Sequence, residues 1–316
     1  MPLHRGGATL LAVSSLRHRS LPWITALVCV GALACVGHDS AARVTHGFVS
    51  YYAAARALVA GHFGVWVYDD ALFGTYVRQI TGSPVREVFA PNTPAMALFA
   101  LPVAWLNPQA ARQVWLALSL VALIGSVAWL ATYSLDHRGP WVSLWVAIAL
   151  VNPAVLENLR TAQAYLLIFG ALTLAVWALI DGREALTGAA LGVVFPMKPT
   201  FGPLLLVLLW QRRMRVILIA GMAAVVVILA TIPLVSSETW FEWPRAVATF
   251  TARPSTSVTA YQTTTGFIRH LCVADAQLNP TAPANCSPIA PILPWLLIAV
   301  ATLVTFWASQ ATPAPL

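Results

Sequence analysis

The chain has a single lysine, Lys198, set between Pro196 and Pro199 in the apolar stretch VVFPMKPTFGPLLLVL. An ammonium at membrane depth costs about 2.5 to 3.5 kcal/mol on insertion scales, so this lysine wants a partner there. The two prolines release backbone groups that only protein or a wet cavity can satisfy, which makes a ligand pocket physically sensible, with a phosphate group as its natural occupant. The plainer alternative is a lysine that snorkels to the headgroups. A second polar cluster, NPAVLENLRTAQAYLL, places Asn152, Glu157, Asn158, Arg160 and Gln163 beside Pro153. It reads either as an ordinary turn or as a helix entrance that holds an oxygen-rich ligand. A third group lies late in the chain. Tyr261, Gln262, Thr263, Thr264 and Thr265 offer neutral donors and acceptors beside an aromatic ring, which suits a sugar face, whereas Trp240 and Trp243 read as interfacial anchors.

The elements that must position these groups are membrane helices. Hydrophobic residues make up 59% of the 316-residue chain and charged residues 9%, far from the roughly 45 to 50% and about 25% of soluble domains. Apolar runs recur at residues 21–36, 93–106, 112–133, 141–156, 164–180, 185–210, 216–235 and 291–308. The expected fold is therefore all-α, a polytopic integral membrane helical bundle of about eight transmembrane segments in one domain. Pro196, Pro199, Gly202 and Pro203 also allow residues 185–210 to form two half-helices. The net charge is +7, but the basic residues sit between apolar runs, so they orient the chain against a lipid bilayer and nucleic acid is excluded as a partner. Arg5, Arg17 and Arg19 precede the first run, in the layout of a signal anchor with a cytoplasmic start; a cleaved signal peptide is the alternative. From that start Arg212, Arg213 and Arg215 fall inside, and two long loops, residues 37–92 and 236–290, fall outside.

The first outer loop is chemically the richest stretch. It holds His46, Asp39, Asp69, Asp70 and Glu87 together with Tyr51, Tyr52, Trp66 and Tyr68, and residues 51–61 read as a short helix along the membrane surface, stopped by Gly61. Cys29 and Cys35 lie in an apolar run as small hydrophobes; Cys272 and Cys286 share the late loop, where a disulfide is an open alternative. No metal-ligand spacing appears, and a divalent metal is left open.

In order and spacing, these segments resemble glycosyltransferase family 87, the membrane mannosyl- and arabinosyltransferases of GT-C architecture that use polyprenyl-phosphate sugars. FVSYYAAARALVAG is similar to the stretch after the family's first helix, VYDDALF to its following Tyr-Asp element, and FAPNTPAMALFALPVAWL to its aromatic-x-Pro-Pro segment. NPAVLENLRTAQAYLL resembles the Asn-Pro and Gly-Gln segment, ALTGAALGVVFPMKPTFGPLLLVLLWQRR the Lys-Pro segment, and YQTTTG the late Asn-Gln-Ser element. The likeness runs over residues 47–269. Three positions depart from it: Gly47 stands where the family carries its catalytic Asp, Ala162 where it carries Gly, and Tyr261 where it carries Asn.

The resemblance implies an inverting transfer of a sugar, with mannose the expected one, from a polyprenyl-phosphate donor to a cell-envelope glycolipid or glycan. A base takes the proton of the acceptor hydroxyl while lipid phosphate leaves. With Gly47 in the acid's place, the substitute base is expected from Asp69, Asp70 or His46. Lys198, Arg160 and Gln163 are expected at the donor phosphate, and Tyr261, Gln262, Thr263 and Arg269 at the acceptor or sugar. Two other readings stay open: a non-catalytic relative that binds lipid-linked sugar as a scaffold, and a transporter or flippase of lipid-linked glycans.

Overall fold

Backbone polar groups inside a bilayer must find partners within their own element, which favours helices in so apolar a chain. The computed structural model describes residues 24–25, 27–85, 87–134, 140–252, 264–272, 274, 289 and 292–311, and these contain helices and no strand. In order they are α1 (Leu27–Ala41), α2 (Phe48–Val59), a 3-10 turn (Val65–Tyr68), α3 (Asp70–Thr81), the short α4 (Met96–Phe99), a 3-10 turn (Leu101–Val103), α5 (Pro108–Ser134), α6 (Pro140–Val151) and α7 (Pro153–Thr161). There follow α8 (Tyr165–Ile180), α9 (Glu184–Met197), a 3-10 turn (Pro199–Phe201), α10 (Leu204–Trp210), α11 (Met214–Val235), α12 (Ser237–Ala252), α13 (Thr264–Cys272) and α14 (Leu293–Ala311). Two compact units are distinguished, Met1–Trp243 and Pro244–Leu316. In the second, Ile268 and Cys272 pack with Leu271 and Leu293, and Cys272 is disulfide-bonded, whereas Cys29 and Cys35 in the first are free thiols.

Among the described residues, two helices are long and apolar enough to cross a membrane, Pro108–Tyr133 and Met214–Val235. A third crossing is counted if α7 and α8, bent by 119° at their junction, form one span. This is fewer than the eight runs of the sequence. Residues 93–106 form only α4 and a 3-10 turn, because Pro94 and Pro102 interrupt the run. The run at 141–156 is cut by Asn152 and Pro153: the Asn152 side chain accepts from Ala154 N and caps α7, and Pro153 occupies its first turn. Leu27–Ala41, Glu184–Met197, Pro199–Trp210 and Leu293–Val304 are apolar but shorter. Val121 on α5 and Leu218, Val226 and Leu229 on α11 are exposed, the outward apolar surface expected of helices that face lipid.

Residues 37–92 are folded back on the protein. Helix α2 is buried on nearly every side, so it is a core element and not the surface-lying helix expected from its sequence. Tyr52 OH donates to Leu106 O at 2.8 Å and Arg56 Nη1 to Ala104 O at 3.1 Å, which ties α2 to the turn before α5. Around α3, Phe63, Phe73 and Phe89 meet edge-on or tilted, with ring centroids 5.6 to 5.9 Å apart.

Helices α8 to α11 share a core of Ala175, Leu191, Leu208, Val216 and Ala220. Gly188 and Gly192, four apart on one face of α9, let α11 approach closely. A β-carbon at Gly192 falls 2.5 Å from both Ala220 O and Ala223 Cβ, and one at Gly188 falls 2.7 Å from Ile219 Cβ. Because two neighbours of Gly192, Ala220 O and Ala224 N, are backbone, Gly192→Val is expected to destabilise the chain by about 3 kcal/mol or more. Gly221→Ala, where nothing lies within 4 Å, should be neutral or slightly stabilising. Thermal unfolding in detergent compares the two; equal midpoints would refute this packing.

Candidate active site

Helix α9 ends at Lys198 because Pro196 lies inside its last turn and Pro199 follows. The stretch is thus broken at the lysine, as the half-helix alternative expected. The Lys198 side chain turns inward, 6% exposed, and Nζ donates to Asn92 Oδ1 at 2.9 Å while lying 5.3 Å from the Tyr165 ring centroid. No described carboxylate lies within ion-pair distance of it. The result is a buried cation held by a neutral amide and a ring face, an arrangement that an anion would complete.

The position of that cation follows from the helix lengths. Arg213 and Arg215 reach Glu184 at 3.6 and 4.0 Å, so the start of α9 lies beside the Arg212 to Arg215 turn. The 14 residues of α9 carry the chain about 21 Å away from it. Tyr165 starts α8 and Lys198 ends α9, so the two meet at the end opposite the arginines.

At His46–Gly47–Phe48 the chain makes a γ-turn. Phe48 N donates to His46 O at 3.1 Å, and Gly47 has φ 80° and ψ −70°, a conformation that residues with a β-carbon rarely adopt. There is also no room for a side chain: a β-carbon at Gly47 falls 2.8 Å from Thr161 O and 2.9 Å from Gln163 Cγ. The backbone amide of the turn nonetheless holds an acid brought from elsewhere in the chain. Gly47 N donates to Glu87 Oε2 at 2.5 Å, Val88 N donates to Glu87 Oε1 at 3.0 Å, and His46 Nδ1 stands 3.7 Å from Glu87 Oε2. The His46 side chain is 66% exposed and that of Glu87 15%.

The turn rests on the C-terminus of α7. Thr45 Oγ1 donates to Arg160 O at 3.0 Å, and Arg112, fully buried, donates to Arg160 O, Leu159 O and Ser40 O at 2.6, 3.3 and 3.2 Å. A guanidinium against the carbonyl ends of α1 and α7 complements both helix dipoles without a carboxylate. Ala162 closes α7 with φ 45°, the left-handed conformation that a glycine adopts at lower cost. Tyr51 lies between the two halves of the site, its buried hydroxyl near enough to Tyr165, Glu87 and the Ala164 amide to be influenced by each. Burial raises its pKa above the usual phenol range, with Tyr165 and Glu87 acting in the same direction and the Ala164 bond opposing, so it stays a neutral donor.

Residues 87–93 join the parts. Glu87 holds the γ-turn, Asn92 holds Lys198, and Thr93 Oγ1 donates to Met197 O at 3.3 Å. Five residue steps separate Glu87 from Asn92, at most about 18 Å when extended, and less here because Asn92 N turns back to Phe89 O.

The candidates named from sequence divide accordingly. Lys198 lies over the Tyr165 ring, Gln163 packs against Gly47, and His46 stands beside Glu87. The Arg160 backbone belongs to the same cluster, while its exposed side chain pairs with Glu157 at 3.6 Å. Asp69 caps α3, accepting from Ala71 N and Leu72 N at 2.9 and 3.0 Å, and Asp70 opens that helix. Tyr261, Gln262 and Thr263 lie outside the described residues, and so does the side chain of Arg269. Among the described residues no group of three His, Cys, Asp or Glu side chains is arranged to hold a metal. Sequence reading missed Glu87, Asn92 and Arg112 as parts of the site. Glu87 carried a signal as one of the acids of the loop at residues 37–92, and Arg112 as a charge at the edge of an apolar run.

Comparison with curated proteins and with solved structures finds no match. The family model for glycosyltransferase family 87 matches residues 89–316, a span that begins two residues after Glu87 and contains Asn92, Arg112, Gln163 and Lys198. That match covers more than two thirds of the chain, and the protein belongs to glycosyltransferase family 87, a family of membrane glycosyltransferases.

Proposed function

We propose that this membrane glycosyltransferase moves a sugar, with mannose the first to test, from a polyprenyl-phosphate donor to a cell-envelope glycolipid or glycan, with inversion at the anomeric carbon. The observation that carries the reading is the segment of residues 87–93, with a buried cation lacking a described counter-ion at one end and a histidine–carboxylate pair at the other. In this reading Lys198, together with Gln163 and Arg160, receives the donor phosphate and offsets the charge that grows as it leaves. His46 accepts the proton of the acceptor hydroxyl. Asp69, engaged at its helix start, and Asp70 keep the loop in shape. The late loop, with Tyr261, Gln262, Thr263 and Arg269, contributes to acceptor or sugar binding.

The same reading makes the chain a GT-C-type bundle in which the shorter apolar helices also enter the bilayer. Its start and the Arg212, Arg213 and Arg215 turn then lie in the cytoplasm, and the Lys198 end faces outside. That sidedness suits a lipid-linked donor presented on the outer leaflet. The test is incubation of the purified chain with radiolabelled polyprenyl-phosphate mannose and a lipid extract, following label into a new glycosidic product. Label should move at a rate proportional to protein. A folded chain that binds the donor but moves no label would leave a binding protein in place of the enzyme, and lipid translocation without a new bond would favour a flippase.

A further inference from the structure

The amide of Gly47 carries an acid from a distant part of the chain. Glu87, 40 residues away, accepts from the Gly47 amide, and its carboxylate is anchored at both oxygens by backbone donors while Oε2 lies 3.7 Å from His46 Nδ1. The γ-turn exposes the Gly47 N–H to that carboxylate and presents the His46 ring to solvent. We infer that Glu87 and His46 form a relocated dyad: His46 is the general base of the transfer, and Glu87 is the positioning residue that orients its ring and holds its charge. This inference rests on the transferase reading above.

The chemistry balances as an inverting displacement. The acceptor hydroxyl gives its proton to His46 Nε2, the ring nitrogen turned away from Glu87, as its oxygen bonds to the anomeric carbon. The bond from that carbon to the phosphate oxygen breaks, and its electron pair leaves with the lipid phosphate toward Lys198. The imidazolium that forms lies beside the fixed Glu87 carboxylate, the division of labour between base and orienting acid known from other proton-transfer sites. The two residues also divide access to the acceptor as this requires, since His46 is the exposed partner and Glu87 the covered one.

A double-mutant cycle on the full chain separates this role from a structural one. Glu87→Gln keeps the volume and an acceptor for Gly47 N, so the unfolding midpoint should change little. Its kcat for labelled polyprenyl-phosphate mannose should fall about 10- to 100-fold with KM for the donor unchanged. His46→Ala should cost at least as much, and Glu87→Gln added to His46→Ala should cost nothing further. If Glu87→Gln fails to fold, the cycle is run with Glu87→Asp, which keeps the charge; the expected loss is smaller and again vanishes without His46. Full additivity, or undiminished transfer by either single variant, overturns the dyad and leaves the transferase reading standing. Absence of transfer by the unsubstituted chain overturns both.

Discussion

Lys198→Met is expected to lower transfer from a polyprenyl-phosphate sugar by about 100- to 1,000-fold, the range seen when a single charge-stabilising donor is removed from a reacting centre. Methionine keeps an unbranched chain of similar length, so the space between Asn92 and the Tyr165 ring stays filled. Burying a cation with no described counter-ion is costly, and removing it should leave the unfolding midpoint unchanged or raise it. Loss of activity without loss of stability is therefore the signature of a group kept for its ligand. Lys198→Arg should not restore full activity, because a planar fork cannot keep both the Asn92 contact and the ring contact of a compact ammonium. Initial rates across donor concentrations, with thermal unfolding of the same preparations, make the measurement. Undiminished transfer by Lys198→Met would remove the lysine from the site.

The second large effect concerns Gly47. Placing an acid at this position with Gly47→Asp should abolish transfer and destabilise the chain. Its positive φ alone costs a residue with a β-carbon about 1 to 2 kcal/mol. The new β-carbon would also press on Thr161 O at 2.8 Å, a backbone atom fixed by the end of α7, while Gln163 Cγ at 2.9 Å has more freedom to move. The new carboxylate would then stand beside Glu87, which already occupies the Gly47 amide, so like charges would oppose each other across the turn. Gly47→Ala isolates the steric part and should lose stability without the added charge. Both variants are read by thermal midpoint and by label transfer. A gain of activity in Gly47→Asp would show that the glycine is simply a lost acid and that Glu87 does not replace it.

Much of the helical pattern was legible from composition, because apolar runs bounded by Gly, Pro and charged turns have few other folded forms. The stop at Gly61, the break around Lys198 and the division of the NPAVLEN segment from the run before it all follow from local chemistry. Length was read less well. Residues 93–106 are as apolar as a crossing, yet Pro94 and Pro102 reduce them to short turns buried among α2, α5 and the end of α9, and hydropathy does not register that.

The sequence by itself determined that the chain is an apolar helical protein with one lysine placed where a charge needs a reason, and with Gly47 in the loop richest in acids. Tertiary structure alone decided what those two features mean. Glu87 reaches Gly47 across 40 positions, and Lys198 reaches Asn92 across 106. Contacts of that separation leave no periodicity or local spacing in a single sequence, because they arise only when packing elsewhere brings the backbones together. The γ-turn shows the same physics at its smallest scale: a missing side chain reads as a lost function in one dimension, and in three as close packing against Thr161 O and Gln163 Cγ with another residue's carboxylate on the turn's amide.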